Sequence, residues 1–277
     1  MPNRAYLDNA ATSFPKPRCV HEAMLRYATD VGASPGRGAY AESREGARLL
    51  DACRSLVCDA IGGDGPERVI FTLNTRDALN LAIKGVVLHR MKAGPVAPIH
   101  VVTTAMDHNS VLRPLNALAD QGLVEWACVP ADPNTGLVRA ADVLAAIRAD
   151  TALVAVVHAS NVSGSIQPIA EIGRACRTRG VPLLVDAAQS VGHLPVDVSA
   201  MHIDMLAFPG HKGLLGPLGT GGLWMSESMP ARREPIREGG TGSRSESDRQ
   251  PKELPARYEP GSHNTLGLEG LAEELGW

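Results

Sequence analysis

Five short apolar runs, each followed at once by polar residues, constrain this chain more than any other feature. They fall at 68–72 (R-V-I-F-T), 99–103, 152–157, 182–185 and 203–208. Runs of this length suit strands buried on both faces. Helical stripes alternate with them: 77–88, with Leu79, Ile83, Val86 and Val87 on one face, then 111–119, 141–149 and 169–179. Further strands are expected at 123–129 and 222–225, with a turn at 133–136 (P-N-T-G). Regular strand–helix alternation predicts an α/β fold: a mostly parallel central sheet with helices on both faces.

The flanks differ from this middle part. Residues 17–61 read as two amphipathic helices separated by G-A-S-P-G-R-G, whereas 226–262 is rich in Ser, Glu, Arg, Pro and Gly. The second stretch is too polar for a core and reads as a surface excursion, a lid or a subunit contact. The expected division is a two-helix N-terminal segment (1–61), a large domain (62–225), and the polar excursion leading into a C-terminal domain (226–277). A formal net charge of -3 offers no basic stripe for a phosphate backbone, which argues against nucleic acid as the main partner. No apolar run reaches the ~18 residues of a membrane span. Residues 1–7 lack the charged-then-apolar pattern of a secretory leader, which predicts a cytoplasmic protein. The five cysteines (Cys19, Cys53, Cys58, Cys128, Cys176) include no C-x-x-C pair and read as free thiols in a reducing compartment. His108, His158 and His211 lack paired metal-ligand spacing.

Open α/β sheets bind ligands beyond the carboxyl ends of their strands. There this sequence places Asn74-Thr75-Arg76, Asp107-His108-Asn109, His158 to Asn161, Asp186 to Gln189, and Gly210-His211-Lys212. Each has an ordinary reading as a helix cap, a turn or a hydrogen-bonded structural histidine. Together they match the needs of pyridoxal 5'-phosphate (PLP). That cofactor wants a lysine for a Schiff base and an acid for its pyridine nitrogen. It also wants donors at a helix N-terminus for its phosphate.

The strings Y-L-D-N-A-A-T-S (6–13), M-D-H-N-S (106–110), H-A-S-N-V-S-G (158–164), V-D-A-A-Q-S (185–190) and G-H-K-G-L-L-G-P (210–217) resemble the cysteine desulfurases. Those belong to the class V aminotransferase group of fold-type I PLP-dependent enzymes. The resemblance implies catalytic roles for Lys212, which would bind the cofactor and shuttle the substrate Cα proton, and for His108, which would stack on the ring and serve in proton transfer. It implies that Asp186 pairs with the ring nitrogen, Gln189 with the ring oxygen, and Asn161 with substrate carboxylate and cofactor. His211, Thr75 and Arg76 would hold the phosphate, and Ser262 would reach the phosphate in the partner subunit of a homodimer. Ala10 and Ala11 would line the substrate pocket. The implied reaction converts L-cysteine to L-alanine and passes sulfur to an acceptor protein.

Three departures from the family pattern stand out. Arg76 replaces a usual Thr, and Pro209 replaces a usual Ser or Thr; Arg76 could compensate with charge-assisted bonds to the phosphate. The third concerns the nucleophilic cysteine, which in the family sits in a C-terminal small domain that is only beginning at Trp277. None of the five cysteines matches it, so full desulfurase activity is in question. Two other readings stay open: β-elimination or racemisation of a small amino acid, which needs Lys212 but no thiol, and a non-catalytic PLP-binding protein.

Overall fold

The computed structural model describes residues 5–36, 38–94, 98–243 and 246–276. Seven strands form one sheet: β1 (Val69–Thr72), β2 (Ile99–Thr104), β3 (Val124–Val129), β4 (Thr151–Val157), β5 (Leu183–Asp186), β6 (Met205–Pro209) and β7 (Gly221–Met225), in the order β1-β7-β6-β5-β4-β2-β3. The pairs from β6 through β5, β4 and β2 to β3 are parallel. Only β7 runs against both its neighbours. The reason is local: parallel neighbours need a long crossover, usually a helix, whereas β6 and β7 are joined by a loop without one. That loop carries Lys212.

The helices are α1 (Arg18–Arg26), α2 (Ala41–Ala60), α3 (Thr75–Lys92), α4 (Asn109–Ala119), α5 (Ala140–Ala146), α6 (Ile169–Thr178) and α7 (Thr265–Leu275). Successive strand side chains point to opposite faces, and the core divides accordingly. Val154, Val156, Leu183, Val185, Leu206 and Phe208 pack with α2, α5, α6 and α7 residues such as Val57, Val143, Ile172 and Leu271. Leu153, Ala155, Leu184, Met205 and Ala207 pack with Leu79, Ile83 and Val86 of α3 and Leu115 of α4. The expected two-faced α/β sandwich is therefore present, and α1 and α2 both pack on α7.

Some boundaries differ from expectation. The helix expected at 77–88 runs from Thr75 to Lys92, because the Asn74 side chain caps it through Asp77 N and His89, Arg90 and Lys92 suit its C-terminal turn. The helix expected at 141–149 stops at Ala146, since Ile147 is extended and Thr151 Oγ1 takes the Arg148 N–H at 2.8 Å. The 226–262 stretch is not surface throughout. Met229, Arg233, Tyr258 and Glu259 are buried. Composition misleads here because an aromatic ring and an ion pair offset the burial of the two charges, although Arg233 Nε and Nη2 have no hydrogen-bond partner among the described residues. The Arg233 guanidinium lies 4.0 Å over the Tyr258 ring, and Glu259 pairs with Arg54. Among the described residues no helix is long and apolar enough to cross a membrane, and no cluster of His, Cys, Asp and Glu could hold a metal ion.

Candidate active site

At the carboxyl ends of the parallel strands lies a cavity of about 300 Å³. Thr75 and Arg76 follow β1, His108 follows β2, Asn161 follows β4, Asp186 closes β5 with Gln189 beyond it, and His211 and Lys212 follow β6. All of these line the cavity, as do Ala10 and Ala11. Ser262 does not: it is exposed and lines a separate cavity with Thr72, Gly219 and Glu259. Pro209 stays in the sheet, in register with Gly221.

The floor is Asp186. Its carboxyl is 3% exposed, and its one described hydrogen bond is accepted by Oδ1 from Ala188 N at 3.0 Å. Burial pushes its pKa above the ordinary carboxylate value, against the pull of His108 and Lys212. Burial pushes the Lys212 ammonium down, opposed by Asp186. A lysine so placed gives up its proton more readily than a surface lysine. Gly213, the next residue, has space for no side chain, because a Cβ there would meet Val191 O at 2.3 Å.

On the β1 side, Asn74 Oδ1 caps α3 through Asp77 N at 3.0 Å. The first-turn N–H groups of Thr75 and Arg76 have no partner among the described residues, as helix N-termini dictate. The turn fits because β7 offers Gly221 beneath it, where a Cβ would lie 2.8 Å from Asn74 Cα. Opposite, His108 caps α4: its Nδ1 accepts from Ser110 N at 3.1 Å and lies 2.8 Å from Ser110 Oγ. An Nδ1 that accepts leaves the ring proton on Nε2. Ser160 Oγ accepts from Val162 N and Ser163 N, the turn that sets Asn161 at the rim.

The N-terminal segment closes the remaining side. Gln189 Nε2 donates to Ala10 O at 2.9 Å. Lys16 Nζ donates to His211 O at 2.7 Å, and Thr12 and Ser13 hydroxyls reach the same carbonyl. His211 Nδ1 lies 3.0 Å from Thr12 Oγ1, and its pKa is lowered by burial first, then by Lys212 and Lys16. Sequence reasoning missed Ser110, whose signal was the H-x-S spacing at a helix start. It also missed Thr12 and Lys16, for which a separation of some two hundred residues left none.

These residues fit PLP: a buried carboxylate with an uncommitted oxygen, an amine of lowered pKa, and free helix N–H groups surround one cavity. The five cysteines do not contribute to it. Cys53, Cys58 and Cys176 are buried and burial raises their pKa values to about 12, about 11 and about 12. Cys19 and Cys128 are also raised by burial, and no cysteine lines the cavity.

Residues 5–277 match the family model Aminotransferase class-V. A probable cysteine desulfurase of Methanothermobacter thermautotrophicus is 38% identical over 275 residues, covering 99% of this chain and 66% of the relative. Cysteine desulfurase IscS of Glaesserella parasuis is 38% identical over 237 residues, covering 85% of this chain and 56% of the relative. The apo structure of cysteine desulfurase from Thermococcus onnurineus NA1 superposes with a TM-score of 0.88 at 34% identity, over 98% of this chain and 66% of that one. SspA in complex with cysteine gives 0.86 at 28% identity, over 99% and 72%. The chain thus spans somewhat less than two thirds of the length of these curated relatives, and it belongs to the class-V aminotransferase family.

Proposed function

We propose that this chain binds PLP and carries out the cofactor-dependent part of a cysteine desulfurase reaction, with L-cysteine as substrate and L-alanine as product. The observation that carries this reading is the convergence of Lys212, Asp186 and the 74–76 turn on one cavity. PLP, when bound, supplies an electron sink that stabilises negative charge at the substrate Cα.

The chain's own residues do the rest. Lys212 Nζ, whose proton is loosely held, binds the cofactor and afterwards takes and returns the Cα proton. Asp186 would hold a proton at the ring nitrogen and so keep the ring electron-poor. His108 would lie over the ring, with its Nε2–H available to the reacting side. Gln189 donates to the ring oxygen, and Asn161 meets the substrate carboxylate at the rim. His211, Thr75 and Arg76 hold the phosphate, and Arg76 supplies a charge-assisted bond in place of a hydroxyl. Ser262 serves the cavity of a second copy in a cytoplasmic homodimer.

No described thiol lines the cavity, so under this reading none of these five cysteines receives the sulfur, and an acceptor thiol has to be supplied to the site. The same observation favours a second reading, β-elimination, which needs Lys212 and no thiol. Adding PLP should produce a visible absorption band that Lys212→Ala abolishes; a colourless wild-type protein overturns both readings. With L-cysteine and an added thiol acceptor, alanine supports desulfuration and pyruvate supports elimination.

A further inference from the structure

The loop between β6 and β7, which carries Lys212, is held from two sides. Inside it, Gly210 O accepts from Gly216 N at 2.8 Å and Lys212 O accepts from Leu215 N at 2.9 Å. The carbonyl between these two is that of His211, and its described donors all come from outside the loop. Lys16 Nζ donates to it at 2.7 Å. Ser13 N, Ser13 Oγ and Thr12 Oγ1 each do so at 3.1 Å. A carbonyl oxygen has two lone pairs, so these donors share it. The charged one dominates, because a hydrogen bond from an ionised donor is roughly twice as strong as a neutral one.

Stability alone does not explain a lysine in this place. Lys16 is half-buried, and burial lowers its pKa with no carboxylate to oppose it. Its ammonium has two described acceptors, His211 O and, at 2.6 Å, Ser13 Oγ. Withdrawing a charge from water without an opposite charge beside it costs stability. What the contact provides is a fixed point. Lys16 lies two residues before α1, which packs on α7, so its ammonium is carried by a rigid element.

Covalent geometry carries that fixed point to the reacting lysine. The peptide unit is planar, and the plane that holds the His211 oxygen also holds the Lys212 Cα. Pinning the oxygen therefore limits where the Lys212 side chain can start. We propose that Lys16 is a positioning residue for Lys212: by holding the His211 carbonyl it fixes the peptide plane that ends in the Lys212 Cα, and so aims the amine into the cavity. The consequence for cofactor capture rests on the PLP reading, whereas the tether of the loop does not.

The test compares Lys16→Met, which removes the ammonium and keeps an apolar stem, with Lys16→Arg, which restores a charged donor. Amide hydrogen exchange of the apo protein reads the tether. Exchange over residues 210–216 should quicken about tenfold in Lys16→Met and stay near the wild-type rate in Lys16→Arg. Exchange in α6 should be the same in all three proteins. The second readout is the rate at which added PLP produces its visible band, which should fall about tenfold in Lys16→Met and recover in Lys16→Arg. Should Lys16→Met not fold, the milder Lys16→Gln is read by the same criteria. Unchanged exchange over 210–216 overturns the proposal, as does an equal rise in α6, which marks general loosening. Faster loop exchange with band formation at the wild-type rate also overturns it, because the loop is then tethered without aiming the amine. A colourless wild type overturns the PLP reading, and the exchange comparison then decides the tether by itself.

Discussion

Asp186 and Glu259 are both buried carboxylates, 3% and 6% exposed, yet their surroundings differ in one respect: the number of donors. Glu259 Oε1 accepts from Arg54 Nη1 at 2.8 Å and Phe71 N at 2.6 Å, and Oε2 accepts from Arg54 Nη2 at 2.9 Å. His263 Nε2 lies 2.8 Å from Oε2. Burial would raise this carboxyl, but Arg54 and His263 hold it below its ordinary value. Asp186 has one backbone donor, and burial prevails over His108 and Lys212. The saturated carboxylate ties α2 and β1 to the polar segment that follows β7. The undersupplied one faces a cavity, where the proposed cofactor would bring a donor. A carboxylate's degree of satisfaction, rather than its burial, separates strut from site.

The largest expected effect breaks the strut. Arg54→Met leaves Glu259 buried without its bidentate partner, and removal of one member of such a pair costs about 3–5 kcal/mol. Urea unfolding of the apo protein should show this loss, and Arg54→Met/Glu259→Leu should regain most of it, because no charge is then stranded. A cost below about 1 kcal/mol for the single variant, the range of an exposed pair, would remove the contrast with Asp186.

Asp107 lies between these extremes. Its Oδ2 accepts from Thr103 Oγ1, Thr104 Oγ1 and Thr104 N at 2.7–2.8 Å, while its buried Oδ1 has no partner. Burial pushes its pKa up to about 6, against the donated bonds. A carboxyl that binds its proton more tightly folded than unfolded contributes stability at low pH, and this is lost as pH rises through the folded value. Between about pH 4 and pH 6 the apo wild type should therefore lose up to ~3 kcal/mol relative to Asp107→Asn. Melting temperatures across that range check this; parallel curves for the two proteins would mean that Oδ1 has a partner in solution.

The sequence was most legible where one residue determines its own neighbourhood. The runs at 152–157 and 182–185 announced buried strands because both sheet faces are covered, and strand-end position brought Lys212, Asp186, His108 and Asn161 to one rim. It was least legible where a charge's meaning depends on a distant partner. Glu259 looked like one more polar residue in a polar stretch, and only the fold sets it against Arg54, 205 positions away. Lys16 was likewise silent, since its acceptor is the backbone carbonyl of His211. Composition counts charges and cannot see pairs.

The smallest effect on stability belongs to Asp186→Asn, and it separates site from strut most directly. The amide oxygen can still accept from Ala188 N, and the neutral side chain avoids the penalty that raises the carboxyl's pKa. Apo stability near pH 7 should stay within about 1 kcal/mol of wild type, with any change towards greater stability, the opposite sign to Arg54→Met. PLP affinity should fall about tenfold or more, since a ring-nitrogen proton loses its ionic partner. The paired measurement is thermal melting with and without PLP: the ligand-induced rise should shrink in the variant while the apo transition barely moves. If the apo transition drops as far as it does for Arg54→Met, the carboxylate holds the sheet together, and its scarcity of donors marks no site at all.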